Sequence, residues 1–554
     1  MKFDKIRFHI KKIIKEIKIL KKDYPDWKKI LKDHKNIYKD LKQKSSKGQS
    51  ILICTSTGGH LLSSHFEALL SLALTRYGAK VEILLCDKSL KACHMTTTQF
   101  VDEITLLKKG QKKLCNACID SGIFAFKELG LKIHFYSEFI DKNAESEISN
   151  KIKNLSFNEM KDYSEDKINI GEHAFAGALR YYAVGELDKE INGKNVLKKY
   201  LYSGILTKHV FDNFLASNKP DKIVLNHGIY IPQGIICNIA KSKHIPIIVY
   251  CNSYRKNSFI FSYNDTYHKT MIDEDAKDWE NITLTPEKEK IIEEYLISRR
   301  HGTNDMFYYF NNPSFDVKDL LKKHSIDLSK PILGILTNVI WDAQIIYKNN
   351  IYNNMVDWLI DTIKYLSNRK DIEVVVRCHP GEIRGDRLSK QTVKGTILEN
   401  FKTLPENLKI IDSDNDISTY SFADYCETLI IYATKMGMEF SPFGNKVICA
   451  GESYIKNKDI TLDPKSKNEY YKMLDLFPNL QKPSKEKILR AKKYAYHYFF
   501  RRTVQIGSLE SKVKSWPPFK ISNDSFEKIF NEKDLGIKSL SEKILSNKNF
   551  IFGN

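Results

Sequence analysis

The stretch Ile-Glu-Val-Val-Val-Arg-Cys-His-Pro-Gly-Glu at residues 372–382 decides the fold. Its apolar first half predicts a buried strand, and the proline and glycine that follow predict a sharp turn at the strand's end. Similar apolar runs recur along the chain, and a helical pattern separates most of them. Strands that alternate with helices in this way predict a parallel sheet with helices on both faces.

The alternation occupies two regions, so we predict an α/β protein with two Rossmann-like domains that face a cleft. Predicted strands of the first region lie at 50–55, 80–86, 223–228 and 245–250. Those of the second lie at 332–336, 372–377, 408–411, 428–432 and 446–450. The predicted organisation is a basic helical segment at 1–47, an N-terminal domain at 48–312, a C-terminal domain at 313–485 and C-terminal helices at 486–554.

Composition agrees with a folded protein of two domains. A chain of 554 residues is longer than a single domain with one hydrophobic core usually is. Hydrophobic residues make up 42% of the chain and charged residues 28%, which is ordinary for a folded protein. No apolar run reaches the length of a membrane span, and no secretory signal is recognisable. The ten cysteines are scattered, which favours buried thiols in a reducing compartment and hence a cytoplasmic protein. The Cys115 and Cys118 pair lacks a second pair of metal ligands, so we interpret it as a loop before a helix.

The net charge of +20 is concentrated at the N-terminus. Residues 1–47 contain 17 Lys or Arg and 6 Asp or Glu, which gives this segment a net charge of +11. Between Ile6 and Leu20, isoleucines recur at helical spacing with lysines between them. Two interpretations stay open: the segment lies on an anionic membrane surface, or it packs on the protein body with its lysines in solvent. Nucleic acid is not an expected partner, because aromatic residues do not interleave the basic face.

Polar residues follow the strands of the second region where a ligand would bind. His379 comes at a strand end before Pro380, and an imidazole there can hold a phosphate oxygen. Hydroxyls at a helix start, as at Ser418 and Thr419, also suit an anion. A helix-start carboxylate such as Glu439 can bind a ribose diol. The predicted donor-binding set is Arg377, His379, Pro380, Glu382, Ser418, Thr419, Thr434, Gly437 and Glu439.

In the first region, Gly58 and Gly59 follow the first strand and would let the backbone approach a ligand closely. Transfer of a group to a hydroxyl needs a base, which is typically Asp, Glu or His. The sequence offers several such residues and does not rank them. The predicted catalytic candidates are His60, Glu172, His173 and His227, with Arg180 as a further site residue.

The segments 337–342, 377–382, 418–420 and 437–439 resemble those of bacterial capsule and surface-polysaccharide glycosyltransferases of the GT-B fold. These include capsule Kdo transferases, bacterial sialyltransferases and polyol-phosphate polymerases. The resemblance implies that His379, Ser418 and Thr419 hold the donor's phosphate, while Gly437 and Glu439 hold the nucleotide's ribose. It further implies a CMP- or UDP-linked donor on the C-terminal domain and a glycan or lipid-linked acceptor on the N-terminal domain.

The resemblance also implies a transferase that needs neither a metal nor a cofactor, since helix ends and basic side chains balance the leaving phosphate. Residues 412–416 contain an Asp-x-Asp spacing, and we interpret them as a turn in preference to a metal site. Three functions stay open: a glycosyltransferase, a sugar-nucleotide epimerase or polyol-phosphate transferase on the same fold, and a non-catalytic scaffold that attaches to the inner face of the cytoplasmic membrane.

Overall fold

The computed structural model describes residues 24–306, 308–309, 313–342, 350–385, 387–512 and 515–553. Within them, one sheet has seven strands and a second has five, and two further sheets have two strands each. Helices pack on both large sheets, which face each other across a cavity. The predicted class, a GT-B-like α/β protein with two Rossmann-like domains, is confirmed.

The seven-stranded sheet forms the N-terminal domain. Its strands are β1 Ser50–Ser56, β2 Lys80–Leu85, β3 Lys132–Phe135, β6 Lys222–Asn226, β7 Ile247–Asn252, β8 Ser258–Tyr263 and β14 Thr503–Gln505. They lie in the order β14-β8-β7-β6-β1-β2-β3. Only β8 and β14 run antiparallel to their neighbours. A small hairpin, β4 Ser164–Glu165 and β5 Ile168–Asn169, lies outside this sheet.

The five-stranded sheet forms the C-terminal domain, and all its strands are parallel. They are β9 Ile332–Leu336, β10 Glu373–Arg377, β11 Leu408–Ile411, β12 Thr428–Ile431 and β13 Val447–Cys449, in the order β11-β10-β9-β12-β13. The strand order reverses beside β9 here and beside β1 in the other sheet. Ligands of open α/β sheets bind at such reversals, outside the carboxyl ends of the strands.

The helices connect the strands and cover the sheets. Before and within the first sheet they are Trp27–Ile30, Lys35–Ser45, Leu61–Arg76, Glu103–Lys109, Lys112–Phe126, Ala144–Lys151, Phe157–Lys161, Ile170–Tyr182, Gly193–Ser217, Gln233–Ser242, Tyr267–Ile272 and Pro286–His301. Later helices are Lys318–Lys323, Met355–Leu366, Gly381–Arg384, Val393–Asn400, Thr419–Ala423, Met436–Phe440, Lys467–Leu476, Lys485–Tyr496, Ser525–Phe530 and Leu535–Ser546.

The domain boundaries differ from those predicted because two segments cross between the sheets. Residues 271–296 share a hydrophobic core with the five-stranded sheet, although the predicted boundary lies at residue 312. The helix Lys485–Tyr496 packs in that same core, and the chain then returns to add β14 to the seven-stranded sheet. The segment 486–554, predicted as helices, also contains a hairpin of β15 Leu509–Ser511 and β16 Phe519–Ile521. Strands of three residues are too short to show a period of two.

The N-terminal segment packs on the protein body over its described part, 24–47. Trp27 and Tyr38 are buried in the core of the seven-stranded sheet, and the Trp27 indole N–H donates to the Ala125 carbonyl at 2.7 Å. This agrees with the second interpretation of the segment. The basic amphipathic pattern from Ile6 to Leu20 lies outside the described residues, so membrane binding there stays a prediction. In the described part of the chain, no helix has the length and apolar character needed to cross a membrane.

The cysteine pair lies in a helix, so the loop prediction is wrong. Cys115 and Cys118 both lie within Lys112–Phe126, and all ten cysteines are free. The pattern misled because three of the four residues in Cys-Asn-Ala-Cys, the two cysteines and the asparagine, have low helix propensity. Across the described residues, no group of three or more His, Cys, Asp or Glu side chains is arranged to hold a metal ion.

Replacing Trp27 with alanine should destabilise the protein by about 3–5 kcal/mol, because the change removes a fully buried ring and leaves a cavity. Trp516, which is 47% exposed, provides the matched control, and its replacement should cost under about 1 kcal/mol. Urea unfolding of the two variants measures both changes. A loss for the Trp27 variant as small as that of the control would show that residues 24–47 do not belong to the folded core.

Candidate functional site

A cavity of about 320 Å³ lies between the two domains at the carboxyl ends of their parallel strands. Five of the nine predicted donor-binding residues line it: Arg377, His379, Pro380, Thr419 and Thr434. Side chains from the N-terminal half face them, among them Tyr254 and His268. The site thus has the position that doubly wound sheets give to ligands.

His379 presents a defined hydrogen-bond donor to this cavity. The backbone N–H of Gly381 donates to Nδ1 of His379 at 3.0 Å, so the neutral ring carries its proton on Nε2. Burial, together with the nearby positive charges of Lys435 and Arg377, lowers the pKa of His379 to about 3. At neutral pH the ring is therefore uncharged, and it offers an N–H to a ligand without the cost of burying a cation.

Lys435 supplies the positive charge beside His379. It follows Thr434 in the loop after β12, and both residues line the cavity. Its Nζ lies 4.2 Å from the centroid of the Tyr254 ring and 3.5 Å from a carboxylate oxygen of Glu439. Burial lowers the pKa of Lys435, while Glu439 opposes that shift. Lys435 was not among the predicted donor-binding residues, although a lysine ammonium at a strand end is a recognisable anion ligand.

Arg377 shapes the wall by binding the backbone of the next loop. Its guanidinium donates to the carbonyls of Asp412 at 2.6 Å, Asn415 at 3.3 Å and Ile417 at 3.0 Å. The residue is 2% exposed, and burial lowers its pKa to about 10. These bonds hold the loop that leads to Thr419, so Arg377 positions the wall more directly than it offers a second donor to phosphate.

The loop 412–416 has the contacts of a turn. Asp412 accepts a bond from the N–H of Ser413 at 2.7 Å and forms an ion pair with Lys394 at 2.9 Å. Asp416 pairs with Arg384 at 2.7 Å. Both carboxylates are therefore engaged by basic side chains, as expected from the turn interpretation.

Three predicted donor-binding residues lie behind the cavity wall. Glu382 is fully buried, and its carboxylate accepts from the Val393 N–H at 2.8 Å. The Ser418 hydroxyl caps the helix Thr419–Ala423. Gly437 leaves room for Ile455, which a Cβ there would approach to 2.9 Å. Their binding roles stay predictions, but these contacts explain the residues through packing and capping.

Glu439, predicted to hold a ribose, lies in a buried ion-pair network. Its Oε2 is 3.0 Å from Nε of Arg299, and it accepts a hydrogen bond from the Tyr420 hydroxyl. Arg299 also lies 2.8 Å from Asp305. Burial favours the neutral acid, but Arg299 and Lys435 hold the pKa of Glu439 below its ordinary value. With its oxygens engaged by protein groups, Glu439 is better explained as a support for Lys435 and Tyr420 than as a ligand for ribose.

Four histidines form a row along the N-terminal side of the site, and we call them the histidine row: His60, His94, His227 and His268. Ring centroids are 5.1 Å apart between His60 and His94, 6.2 Å between His94 and His227, and 5.8 Å between His227 and His268. Two of the four were predicted as catalytic candidates. His94 lies in the loop after β2, so the predicted strand at 80–86 could have pointed to it. His268 follows β8, a strand that the sequence did not predict.

The histidine row is joined to the cavity at one end. His268 lines the cavity directly, and so does Asp342 of the C-terminal domain. Asp342 accepts a hydrogen bond of 3.1 Å from the hydroxyl of Tyr230, whose ring is stacked on His94 at 5.5 Å. The arrangement places the His268 imidazole and the Asp342 carboxylate in the same cavity as His379.

His173 and Glu172 do not line the cavity. Both ring nitrogens of His173 are engaged, Nδ1 by the Ile229 carbonyl and Nε2 by the Asn238 amide at 2.8 Å. Glu172 lies in the first turn of the helix Ile170–Tyr182. Their catalytic roles stay predictions that the geometry does not favour, because neither residue lines the cavity.

Gly58 and Gly59 make a close approach to the protein's own helix Lys112–Phe126. A Cβ on Gly58 would lie 2.4 Å from the Cα of Gly122, and the Gly59 N–H donates to the Cys118 sulfur at 3.1 Å. The glycines are therefore required for helix packing. The predicted close approach exists, but its partner is this helix.

No protein-family model matches the chain, and no curated protein matches it. Among solved structures, the chain is similar to the KpsC β-Kdo 2,4 transferase of Thermosulfurimonas dismutans, at 13% identity over 49% of this chain and 79% of that one, with a TM-score of 0.34. It is also similar to the sucrose-phosphate synthase of Thermosynechococcus elongatus, at 10% identity over 90% of this chain and 100% of that one, with a TM-score of 0.28. These values are too low to say anything about chemistry.

Arg299 should prove far more important for stability than the adjacent Arg300. Replacing Arg299 with methionine leaves Glu439 and Asp305 buried without their cation, and we expect a loss of about 3–5 kcal/mol. Arg300 pairs with the half-exposed Asp424 at 3.0 Å, so its replacement with methionine should cost about 1 kcal/mol or less. Chemical denaturation measures both. Similar small losses would mean that the network is hydrated and contributes little.

Proposed function

We propose that the protein is a glycosyltransferase that moves a sugar from a CMP- or UDP-linked donor to a surface-polysaccharide or lipid-linked acceptor. The observation that carries the proposal is the neutral Nε2–H donor of His379 beside the Lys435 cation, at the carboxyl edge of a parallel sheet and facing a second domain. Such donors can bind the phosphate of a nucleotide. The facing N-terminal domain provides the other side of the cavity, where a second substrate can bind.

The expected chemistry is stabilisation of the leaving nucleotide. Charge develops on the phosphate oxygen as the bond to the sugar breaks, and fixed donors that face this oxygen lower the barrier. His379 and Lys435 are the groups placed to do so, with the Thr419 and Thr434 hydroxyls beside them. We propose that these groups suffice without a metal.

The acceptor's hydroxyl must lose a proton during transfer. Besides His379, the cavity lining includes the imidazole of His268 from the N-terminal half and the carboxylate of Asp342. Either group can act as a general base, provided that its lone pair faces the hydroxyl. We propose that the base is one of these two, with His227 next in the histidine row. The basic stretch before residue 24 is proposed to keep the enzyme near an anionic membrane surface.

A nucleotide should stabilise the protein, and this stabilisation should depend on His379. In a thermal-shift series with CMP, CDP, UDP and GDP, the cognate nucleotide raises the midpoint because it binds the folded state. His379→Leu should weaken binding about 10- to 100-fold, since a hydrogen bond to a charged phosphate is lost. His379→Gln should retain most of the affinity because its amide can donate from a similar position.

His209, which lies on the far helix Gly193–Ser217 and contacts Asp141 at 3.1 Å, supplies the control. His209→Leu should bind nucleotide as the wild type does. If His379→Leu keeps wild-type affinity, or if none of the nucleotides shifts the midpoint, then the cavity is not a nucleotide site.

The product distinguishes a transferase from the alternative functions. With the cognate nucleotide sugar and no acceptor, we expect slow hydrolysis that Asp342→Asn or His268→Asn reduces at least about tenfold, in line with removal of a general base. Mass spectrometry and NMR of the products measure this. Isomerised nucleotide sugar would identify an epimerase instead, and a nucleotide that binds without turnover, with acceptor glycans present, would favour a scaffold.

A further inference from the structure

Arg180 lies beside the histidine row without an anionic partner among the residues that the structure describes. Its Nη1 donates to the carbonyl of His94 at 2.7 Å, and its guanidinium lies over the ring of Tyr230, 4.7 Å from the centroid. Neither partner carries a negative charge. These contacts fix the guanidinium beside the histidines, while its remaining N–H groups are available for another ligand.

The neighbouring imidazoles keep hydrogen-bonding capacity in the same place. His94 and His268 are 7% and 5% exposed, and within the described part of the chain the rings of both contact other rings. The Nδ1 atoms of His227 and His268 are buried and have no hydrogen-bond partner there. Buried polar atoms normally have partners, so these two nitrogens are candidates for hydrogen bonds to a polar ligand.

The charges around the row favour an anion. Burial, together with the positive charge of Arg180, lowers the pKa of His94 and of His227, the latter to about 3. Arg387 acts on His94 in the same direction. The carboxylate of Asp342 accepts a hydrogen bond from the hydroxyl of Tyr230 on the cavity side. An oxyanion bound beside Arg180 would offset this repulsion.

We propose that Arg180, His94 and His227 form a subsite that binds an oxyanion of the acceptor, either a carboxylate or a phosphate, beside the donor cavity. The subsite deepens the proposed function, because it assigns to the acceptor wall a chemical preference for acidic acceptors. Arg180 supplies the charge, and the two imidazoles supply directed donors. Tyr230 holds the guanidinium in place by stacking and connects it through Asp342 to the cavity.

The test uses the full chain with ¹³C-labelled histidine and contains no nucleotide. Methyl β-glucuronide, glycerol 3-phosphate and the uncharged methyl β-glucoside are titrated separately, and the imidazole Cε1–H signals are followed by NMR. Single His→Gln variants assign the signals. We expect at least one anionic probe to shift the His94 and His227 signals, and the uncharged glucoside to leave them in place.

Arg180→Leu should weaken binding of that probe about tenfold or more, since a charge-assisted contact is lost. Arg369→Leu, which removes an arginine paired with Asp371 on the outer surface at 2.7 Å, should leave it unchanged. The glucuronide and phosphate arms identify which oxyanion binds. Equal shifts with the uncharged glucoside, an unaffected Arg180→Leu variant, or shifts confined to His379 would overturn the subsite. Nucleotide binding is measured in the separate thermal-shift series. A failure of the proposed donor site there would not change the outcome of this NMR test of the subsite.

Discussion

The buried ion pair between Arg299 and Glu439 is the constraint on which the C-terminal wall of the cavity depends. Arg299 comes from a helix that the chain forms before the second sheet, and Glu439 comes from a helix near that sheet's last strand. A guanidinium and a carboxylate can be buried together only where each meets the other in good geometry. That requirement fixes the helix Pro286–His301 against the loop that carries Lys435 and against Tyr420.

Charge balance within this network also sets the character of the cavity. Arg299 and Lys435 face Glu439 and Asp305, so two cations meet two anions. The charges of this network are therefore balanced, and His379 beside it is neutral. Arg180, in contrast, lies in the N-terminal domain beside uncharged partners. The two walls of one cleft thus differ in how they can attract an anion.

Much of the fold was readable from sequence because parallel strands are continuous apolar runs. The predicted strands at 332–336 and 408–411 coincide with β9 and β11. The antiparallel strands β8 and β14 were missed, since β8 follows β7 without a helix and β14 has only three residues. Loops at strand ends were correctly expected to meet. The partners of Glu439 could not be foreseen, because Arg299 lies 140 positions earlier and is fixed only by tertiary packing.

The return of the chain to the first sheet has a consequence for how this protein tolerates shortening. β14 pairs along β8 and occupies the edge that Ser258–Tyr263 would otherwise present to solvent. That strand is apolar and six residues long, with Phe259 and Phe261 in its centre, which is the kind of open edge that recruits other chains into aggregates. Strand β14 therefore shields an aggregation-prone strand edge. A protein truncated before Thr503 would expose this edge and would be prone to self-association.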